Sequence, residues 1–269
     1  NGGGNTDTLS VFENVRGTTA DASIVTGSAA DVIDANLGDD TVDAGAGNDS
    51  VDGGLNNDSI RGGQGDDTLL GGNGRDWVDY GDATSAVTVT LNDGGNGTAT
   101  GGSGNDTLLT FENVRGGDYN DLITTGANIN FIASGIGNDT VDAGGGADSV
   151  DAGTGNDSVR GGGGNDTLIG NDGIDTADYG DVGTAGVTVH LDAGGNGGAT
   201  VFGGGPVDTL NTFENVVGSA GNDSIIGTSA GTLGNVFDGA GGDDVLFGGG
   251  GDDTLIGGSG NDGADGGSG

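Results

Sequence analysis

One pattern constrains this chain more than any other: a period of nine residues. From Ala35 to Asp79 the sequence divides without remainder into ANLGDDTVD, AGAGNDSVD, GGLNNDSIR, GGQGDDTLL and GGNGRDWVD. From Ser134 to Asp178 it divides again, into SGIGNDTVD, AGGGADSVD, AGTGNDSVR, GGGGNDTLI and GNDGIDTAD. A third run from Gly239 reads GAGGDDVLF, GGGGDDTLI and GGSGNDGAD, followed by GGSG. The sixth place is Asp in all thirteen blocks, and the eighth is Val, Ile, Leu or Ala. Such a period calls for one local structure, repeated and stacked, rather than a globule.

The block itself says what that structure is. Its first six places are dominated by Gly, Asn and Asp, residues that turn tightly and accept positive φ. The last three are Thr or Ser, an aliphatic residue and a variable one, the pattern of a very short strand with one side chain inward. Turn and strand alternating every nine residues predict a flattened coil of eighteen residues carrying two parallel strands. Each coil then buries two aliphatic side chains, such as Ile60 and Leu69. Two such side chains cannot offset the entropy of ordering eighteen residues. Something besides a core must hold the turns.

A longer period encloses the short one. FENV occurs at Phe12–Val15, Phe111–Val114 and Phe213–Val216, offsets of 99 and 102 residues. The connectors match as well: DYGDATSAVTVTLNDGGNGTAT from Asp79 and DYGDVGTAGVTVHLDAGGNGGAT from Asp178. The chain thus reads as connector coils of a partial first unit (1–34), nonapeptide runs at 35–79, 134–178 and 239–269, and connectors at 80–133 and 179–238. In the first connector Val87, Val89 and Leu91 alternate with Thr, as in a half-buried strand. An NDGGNG turn and a second short strand follow, and the connectors are expected to continue the solenoid irregularly. The repeated Phe is expected to fill the interior at an irregular coil.

Charge decides what the turns can bind. The chain carries 42 acids against five bases, a formal net charge of −37. Only three acids are Glu (Glu13, Glu112, Glu214), and all five bases are Arg. This excludes tracking of nucleic-acid phosphates and disfavours anionic membranes. No apolar run approaches the roughly 18 residues of a spanning helix, so no membrane insertion is expected. Without Cys there is neither a disulfide nor a thiolate zinc site. Without Lys the glycine-rich strings cannot form a GK[ST] phosphate loop, and a single His (His190) excludes an HExxH centre or a Ser-His-Asp triad. The recurring carboxylates do not mark a glycosidase, whose acid pair is unique. The chain is therefore expected to be no enzyme.

Stacking brings the sixth-place Asp of one block beside that of the block two further on, Asp49 beside Asp67 for instance. Uncompensated, these carboxylates repel one another. Carboxylate and turn carbonyl oxygens, without nitrogen or sulfur, suit a hard cation of six to eight oxygen ligands: Ca²⁺ before Mg²⁺, and well before Zn²⁺. Thirteen divalent ions would offset most of the net −37.

On these blocks, GGQGDDTLL and GGGGDDTLI above all, the chain resembles the glycine-rich calcium-binding nonapeptides of the repeats-in-toxin (RTX, hemolysin-type) family. The resemblance implies an all-β, right-handed parallel β-roll with irregular connector coils. It also implies multiple Ca²⁺ ions, roughly one per pair of stacked turns, held by sixth-place Asp and turn carbonyls. The implied Asp ligands are Asp40, Asp49, Asp58, Asp67 and Asp76, then Asp139, Asp148, Asp157, Asp166 and Asp175, then Asp244, Asp253 and Asp262. The implied turn glycines are Gly53, Gly62, Gly63, Gly65, Gly71, Gly72 and Gly74, with Gly161, Gly162 and Gly164, and Gly248, Gly249, Gly251, Gly257, Gly258 and Gly260. Weaker versions of the block surround Asp7, Asp106, Asp121 and Asp223. Asn56 replaces a fourth-place Gly, Asn36 and Asn171 replace second-place Gly, and Ala22 stands where Asp121 stands in the next copy. These departures put their turns in question.

The resemblance further implies a secreted, extracellular protein at the bacterial cell surface, exported by the type I route and folding where calcium is abundant. The hundred-residue unit favours a structural part of a surface-layer, adhesin, matrix or filament protein. The alternative is the C-terminal calcium-dependent folding and secretion module of a type I-secreted enzyme or toxin. The chain begins at Asn and ends within repeat-like sequence, as a piece of a longer protein would, and shows no polar cap. End-to-end self-association is therefore expected. The outward Thr and Ser of the seventh place (Thr41, Ser59; Ser50, Thr68) resemble an ice-binding array, but Trp77 and Val245 break its regularity. Trp77, at a place that is Thr176 in the next copy, is expected to cover a strand face rather than bind sugar, and His190 to point outward.

Overall fold

The computed structural model describes residues 6–8, 14–102, 104–201, 205–228 and 234–269. Phe12 and Glu13 of the first FENV string lie outside the described residues. Every regular element among the described residues is a strand, and no helix is long and apolar enough to cross a membrane. Two compact units divide the chain, Asn1–Ile136 and Gly137–Gly269. Each is a parallel β-solenoid of two sheets.

In the first unit one sheet stacks Thr6–Thr8, Ser23–Val25, Thr41–Asp43, Ser59–Arg61, Trp77–Asp79, Asn113–Arg115 and Phe131–Ala133. The other runs from Asn14–Arg16 through Val32–Asp34, Ser50–Leu55 and Thr68–Asn73 into the connector, and ends at Leu122–Thr124. Neighbours within the runs are one coil of eighteen residues apart: Val42 pairs with Ile60 and Val51 with Leu69, both in parallel. The eighth-place side chain points inward, so Val42, Val51, Ile60, Leu69 and Val78 have at most 2% of their surface exposed. First-place Ala35 and Ala44 are fully buried too. The coil therefore closes on two inward columns per strand, and the second admits only small residues. Thr41, Ser50 and Thr68 point to solvent.

The connector is more ordered than an irregular coil. Val87–Leu91 pairs antiparallel with Gly97–Gly101, which pairs antiparallel with Gly104–Leu109. Gly104–Leu109 then pairs in parallel with Thr68–Asn73, and Val87–Leu91 with Leu122–Thr124. A three-stranded antiparallel meander is thus spliced into a parallel sheet. The alternation in VTVTL fits this, because Val87, Val89 and Leu91 are buried while Thr88 and Thr90 face water. Phe111 fills the interior where the chain returns to its nine-residue rhythm, with no exposed surface.

The second unit repeats the arrangement. Thr140–Asp142, Ser158–Arg160, Thr176–Asp178, Asn215–Val217, Val236–Asp238 and Thr254–Ile256 form one sheet. The other contains Ser149–Asp151, Thr167–Ile169, the meander Val207–Asn211, Gly197–Val201 and Val187–Leu191, then Ser224–Ile226, Val245–Phe247 and Gly263–Asp265. Phe213 is buried as Phe111 is. His190 faces solvent, and Trp77 is half-buried beneath the Arg115 guanidinium, 5.5 Å from its ring centroid.

Candidate metal centre

The turns owe their shape to glycine at two places, each for a stated reason. Gly63 and Gly65, second and fourth in their block, have φ of 93° and 128°, where a side chain is strained. A Cβ at either would also run into a carbonyl of the preceding coil, that of Gly45 or Gly47. First-place Gly62 is different: its φ is ordinary, and the space beside it is taken by the Asp67 carboxylate. The substituted positions keep the turn. Asn36, Asn56 and Asn171 all adopt the left-handed conformation, at 82°, 83° and 70°, which Asn tolerates better than other non-glycine residues.

Within these turns the sixth-place aspartates form a hydrogen-bonded ladder. The backbone N–H of Asp40 donates to Asp58 Oδ1 and that of Asp58 to Asp76 Oδ1, each at 2.8 Å. On the other sheet Asp49 donates to Asp67 Oδ1 at 2.8 Å. The second unit repeats the pattern from Asp139 to Asp157 to Asp175, and from Asp148 to Asp166. Asp244 donates to Asp262 at 3.1 Å, and Asn235 to Asp253 at 2.9 Å. Each carboxylate is thus fixed by the coil before it, and one of its two oxygens is spent.

The other oxygen is not. Oδ2 of Asp40, Asp49, Asp58, Asp67, Asp76, Asp157, Asp166, Asp175, Asp244 and Asp253 is buried and has no hydrogen-bond partner. A buried, unpaired carboxylate oxygen is costly. The arginine ion pairs among the described residues do not relieve it; Arg115 pairs with Asp79 and Arg75 lies over the Phe131 ring. Arg61 pairs with Asp79 at 2.8 Å and Asp82 at 3.2 Å, Arg16 with Asp34 at 3.2 Å, and Arg160 with Asp142, Asp178 and Asp181. All the paired acids are ninth-place or connector residues, and none is a sixth-place aspartate. Burial accordingly pushes the Asp49 carboxyl up to about 6 and those of Asp58 and Asp157 to about 7, with neighbouring ladder carboxylates adding to the rise.

These orphaned oxygens fit a hard cation. Asp58 Oδ2 and the Gly71 carbonyl of the next coil converge on Gly53, where an added Cβ would stand 2.6 Å from both. Where the first place is Ala35 or Ala44, Oδ2 of Asp40 or Asp49 is just as buried and just as unpaired, so the methyl does not replace the missing partner. Among the described residues no three His, Asp or Glu side chains gather around one point. A cation here would draw most of its ligands from backbone carbonyls, which again favours Ca²⁺.

The pattern of the RTX calcium-binding nonapeptide repeat (4 copies) matches residues 16–51, 25–60, 52–83, 115–150, 142–177, 211–230 and 229–264, more than half of the chain. The chain belongs to this family. The RTX repeats are calcium-binding, and the ladder just described lies within the matched segments. No curated protein matches the chain in sequence. A solved structure similar to it is the X-ray crystal structure of a hyperactive, Ca²⁺-dependent, β-helical antifreeze protein from an Antarctic bacterium. It is 19% identical, with a TM-score of 0.29, covering 96% of this chain and 82% of that one.

Three groups of residues in these RTX turns escaped sequence reasoning. Asp31 is a further ladder member, 3% exposed, whose N–H donates to Asp49 Oδ1 and whose own Oδ1 has no partner. It sits sixth in TGSAADVID (26–34), a block that keeps only its second-place glycine, Gly27. The fifth-place Asn and Asp build a second ladder of opposite sense, accepting from the following coil: Asn57 N–H to Asp39 Oδ1, Asp66 N–H to Asn48 Oδ1. The frequency of Asn and Asp at that place was the signal. Finally, Glu112 and Glu214 accept the N–H of Asp76 and Asp175 at 2.9 Å each, carrying the sixth-place ladder across the connector.

Proposed function

We propose that the chain is the calcium-folded structural repeat region of a secreted bacterial surface, adhesin, matrix or filament protein. The sixth-place aspartates from Asp40 to Asp262 supply the carboxylate ligands, and the turn carbonyls supply the rest, at roughly one ion per pair of stacked turns. The observation that carries this reading is the row of buried Oδ2 atoms without partners, inside repeats whose family binds calcium. In the absence of the ion, a chain of net charge −37 with so slight a core cannot pay for its own order. Folding on export follows, because low-affinity extracellular sites of about 10⁻⁴–10⁻³ M fill only outside the cell. Association between copies through solenoid ends belongs to the same reading.

Far-UV circular dichroism during a Ca²⁺ titration tests it, with chelator reversal and Mg²⁺ as control. A cooperative, reversible coil-to-β transition specific to Ca²⁺ is the expected result. A folded spectrum in chelator at neutral pH, or no response to Ca²⁺, would refute it.

A further inference from the structure

Three aspartates outside the thirteen blocks stand in the ladder register yet differ from its members in one respect. Asp106, Asp121 and Asp223 are each 3% exposed, about as deeply buried as Asp49, Asp58, Asp67 and Asp157. Both of their carboxylate oxygens, however, have protein partners. Asp106 Oδ1 accepts the N–H of Asp67, and its Oδ2 accepts the Tyr80 hydroxyl, each at 3.0 Å. Asp121 Oδ1 accepts the N–H of Val87 at 2.8 Å and Oδ2 that of Gly117 at 2.7 Å. Asp223 Oδ1 accepts the N–H of Val187 at 2.6 Å and the Ser219 hydroxyl at 2.8 Å, while Oδ2 accepts the Ser219 N–H at 2.6 Å. At Asp58, Asp67 and Asp157 the equivalent Oδ2 has none.

We propose that the turns of Asp106, Asp121 and Asp223 hold no calcium, and that the Tyr80 hydroxyl or a backbone N–H takes the place a cation has in the nonapeptide turns. A carboxylate with charge-assisted hydrogen bonds on both oxygens is compensated for its burial, although each oxygen keeps a second lone pair. An ion taking the donor's place at Oδ2 would leave a buried donor without its acceptor, which costs more than a hydrogen bond returns. Tyr80 is itself 3% exposed, so its hydroxyl has no water to turn to. At Asp208 the neighbouring Tyr179 hydroxyl comes close but does not complete the hydrogen bond that Tyr80 makes to Asp106, and that turn is not included. Each connector therefore interrupts the calcium ladder with metal-free turns, and the ions load in separate runs. This rests on the reading of the nonapeptide Oδ2 atoms as calcium ligands.

Anomalous difference density from calcium-loaded crystals of the full chain tests the assignment. Density is expected beside Asp58 and Asp157, with none within the roughly 2.3–2.6 Å of a calcium ligand at Asp106, Asp121 or Asp223. Density at any of those three overturns the assignment while leaving the calcium reading intact. Absence of density at Asp58 and Asp157 instead removes the calcium reading itself. Equilibrium dialysis gives a second readout in solution. Asp106→Asn, whose amide can still donate to the Tyr80 oxygen, should bind as many ions per chain as the unsubstituted protein, whereas Asp58→Asn should bind fewer. A loss of ions in a folded Asp106→Asn variant would count against the assignment as directly as density would.

Discussion

At the scale of single residues, adjacent glycines in one turn are not equivalent. Gly163 has no positive φ, and a Cβ there meets nothing within 4 Å. Gly164 has a φ of 150°, and its Cβ would intrude on the Gly146 carbonyl of the coil before. Gly163→Ala should therefore leave stability within about 1 kcal/mol, on the stabilising side if the unfolded chain loses freedom. Gly164→Ala should cost at least the ~1–3 kcal/mol of a strained backbone, plus the displacement of a coil. Urea unfolding of both variants at saturating Ca²⁺ separates them, and equal midpoints would mean that the coils are not held this closely.

At the scale of the element, the connector solves a problem of register. The nine-residue rhythm stops at Asp79 and must resume in phase, or the ladder of carboxylates is lost. Three consecutive residues restore it: Phe111 fills the interior, Glu112 takes the N–H of Asp76, and Asn113 Oδ1 takes the N–H of Phe131 at 3.0 Å. The Asn130 amide then donates to the Glu112 carbonyl at 2.5 Å. In the second unit Phe213, Glu214 and Asn215 do the same, with Val236 donating to Asn215 Oδ1 at 2.9 Å. FEN recurs because it is a splice between meander and coil. Phe111→Ala should destabilise the calcium-loaded protein by about 3–5 kcal/mol, the usual cost of emptying a buried phenylalanine site. Denaturant unfolding in Ca²⁺ reads this. A cost below about 1 kcal/mol would show that the coil closes without it.

At the scale of the whole molecule, the buried carboxylates link folding to pH as well as to calcium. In the ion-free fold Asp49 titrates near 6, and Asp58 and Asp157 near 7, because burial disfavours their charge. In the unfolded chain each would titrate near 3.8. Between about pH 4 and pH 7 the ion-free fold thus holds more protons than the unfolded chain, and its stability falls as pH rises through that window. Calcium displaces those protons, so its apparent affinity rises with pH over the same range. In chelator, the β signal in circular dichroism should be stronger near pH 4.5 than near pH 7.5, and saturating Ca²⁺ should close the gap. Indistinguishable chelator spectra at the two pH values would contradict this.

Much of this protein was determined by its sequence alone, because a nine-residue period leaves a chain few choices. The short strands, the inward eighth place, the stacked sixth-place aspartates and the oxygen-only character of the turns all follow from which residue recurs at which place. A local pattern repeated along the chain is legible without knowing what it packs against. What only the tertiary structure decided depends on contacts between distant segments. Tyr80 reaching Asp106, Glu112 standing in for an aspartate, and the antiparallel meander joining two parallel coils belong to no repeat. The same holds within the ladder. Asp67 and Asp106 occupy the same register and the same depth, but one has a spare oxygen and the other a tyrosine. No spacing rule distinguishes them, because the difference lies in what the fold brings to the second oxygen.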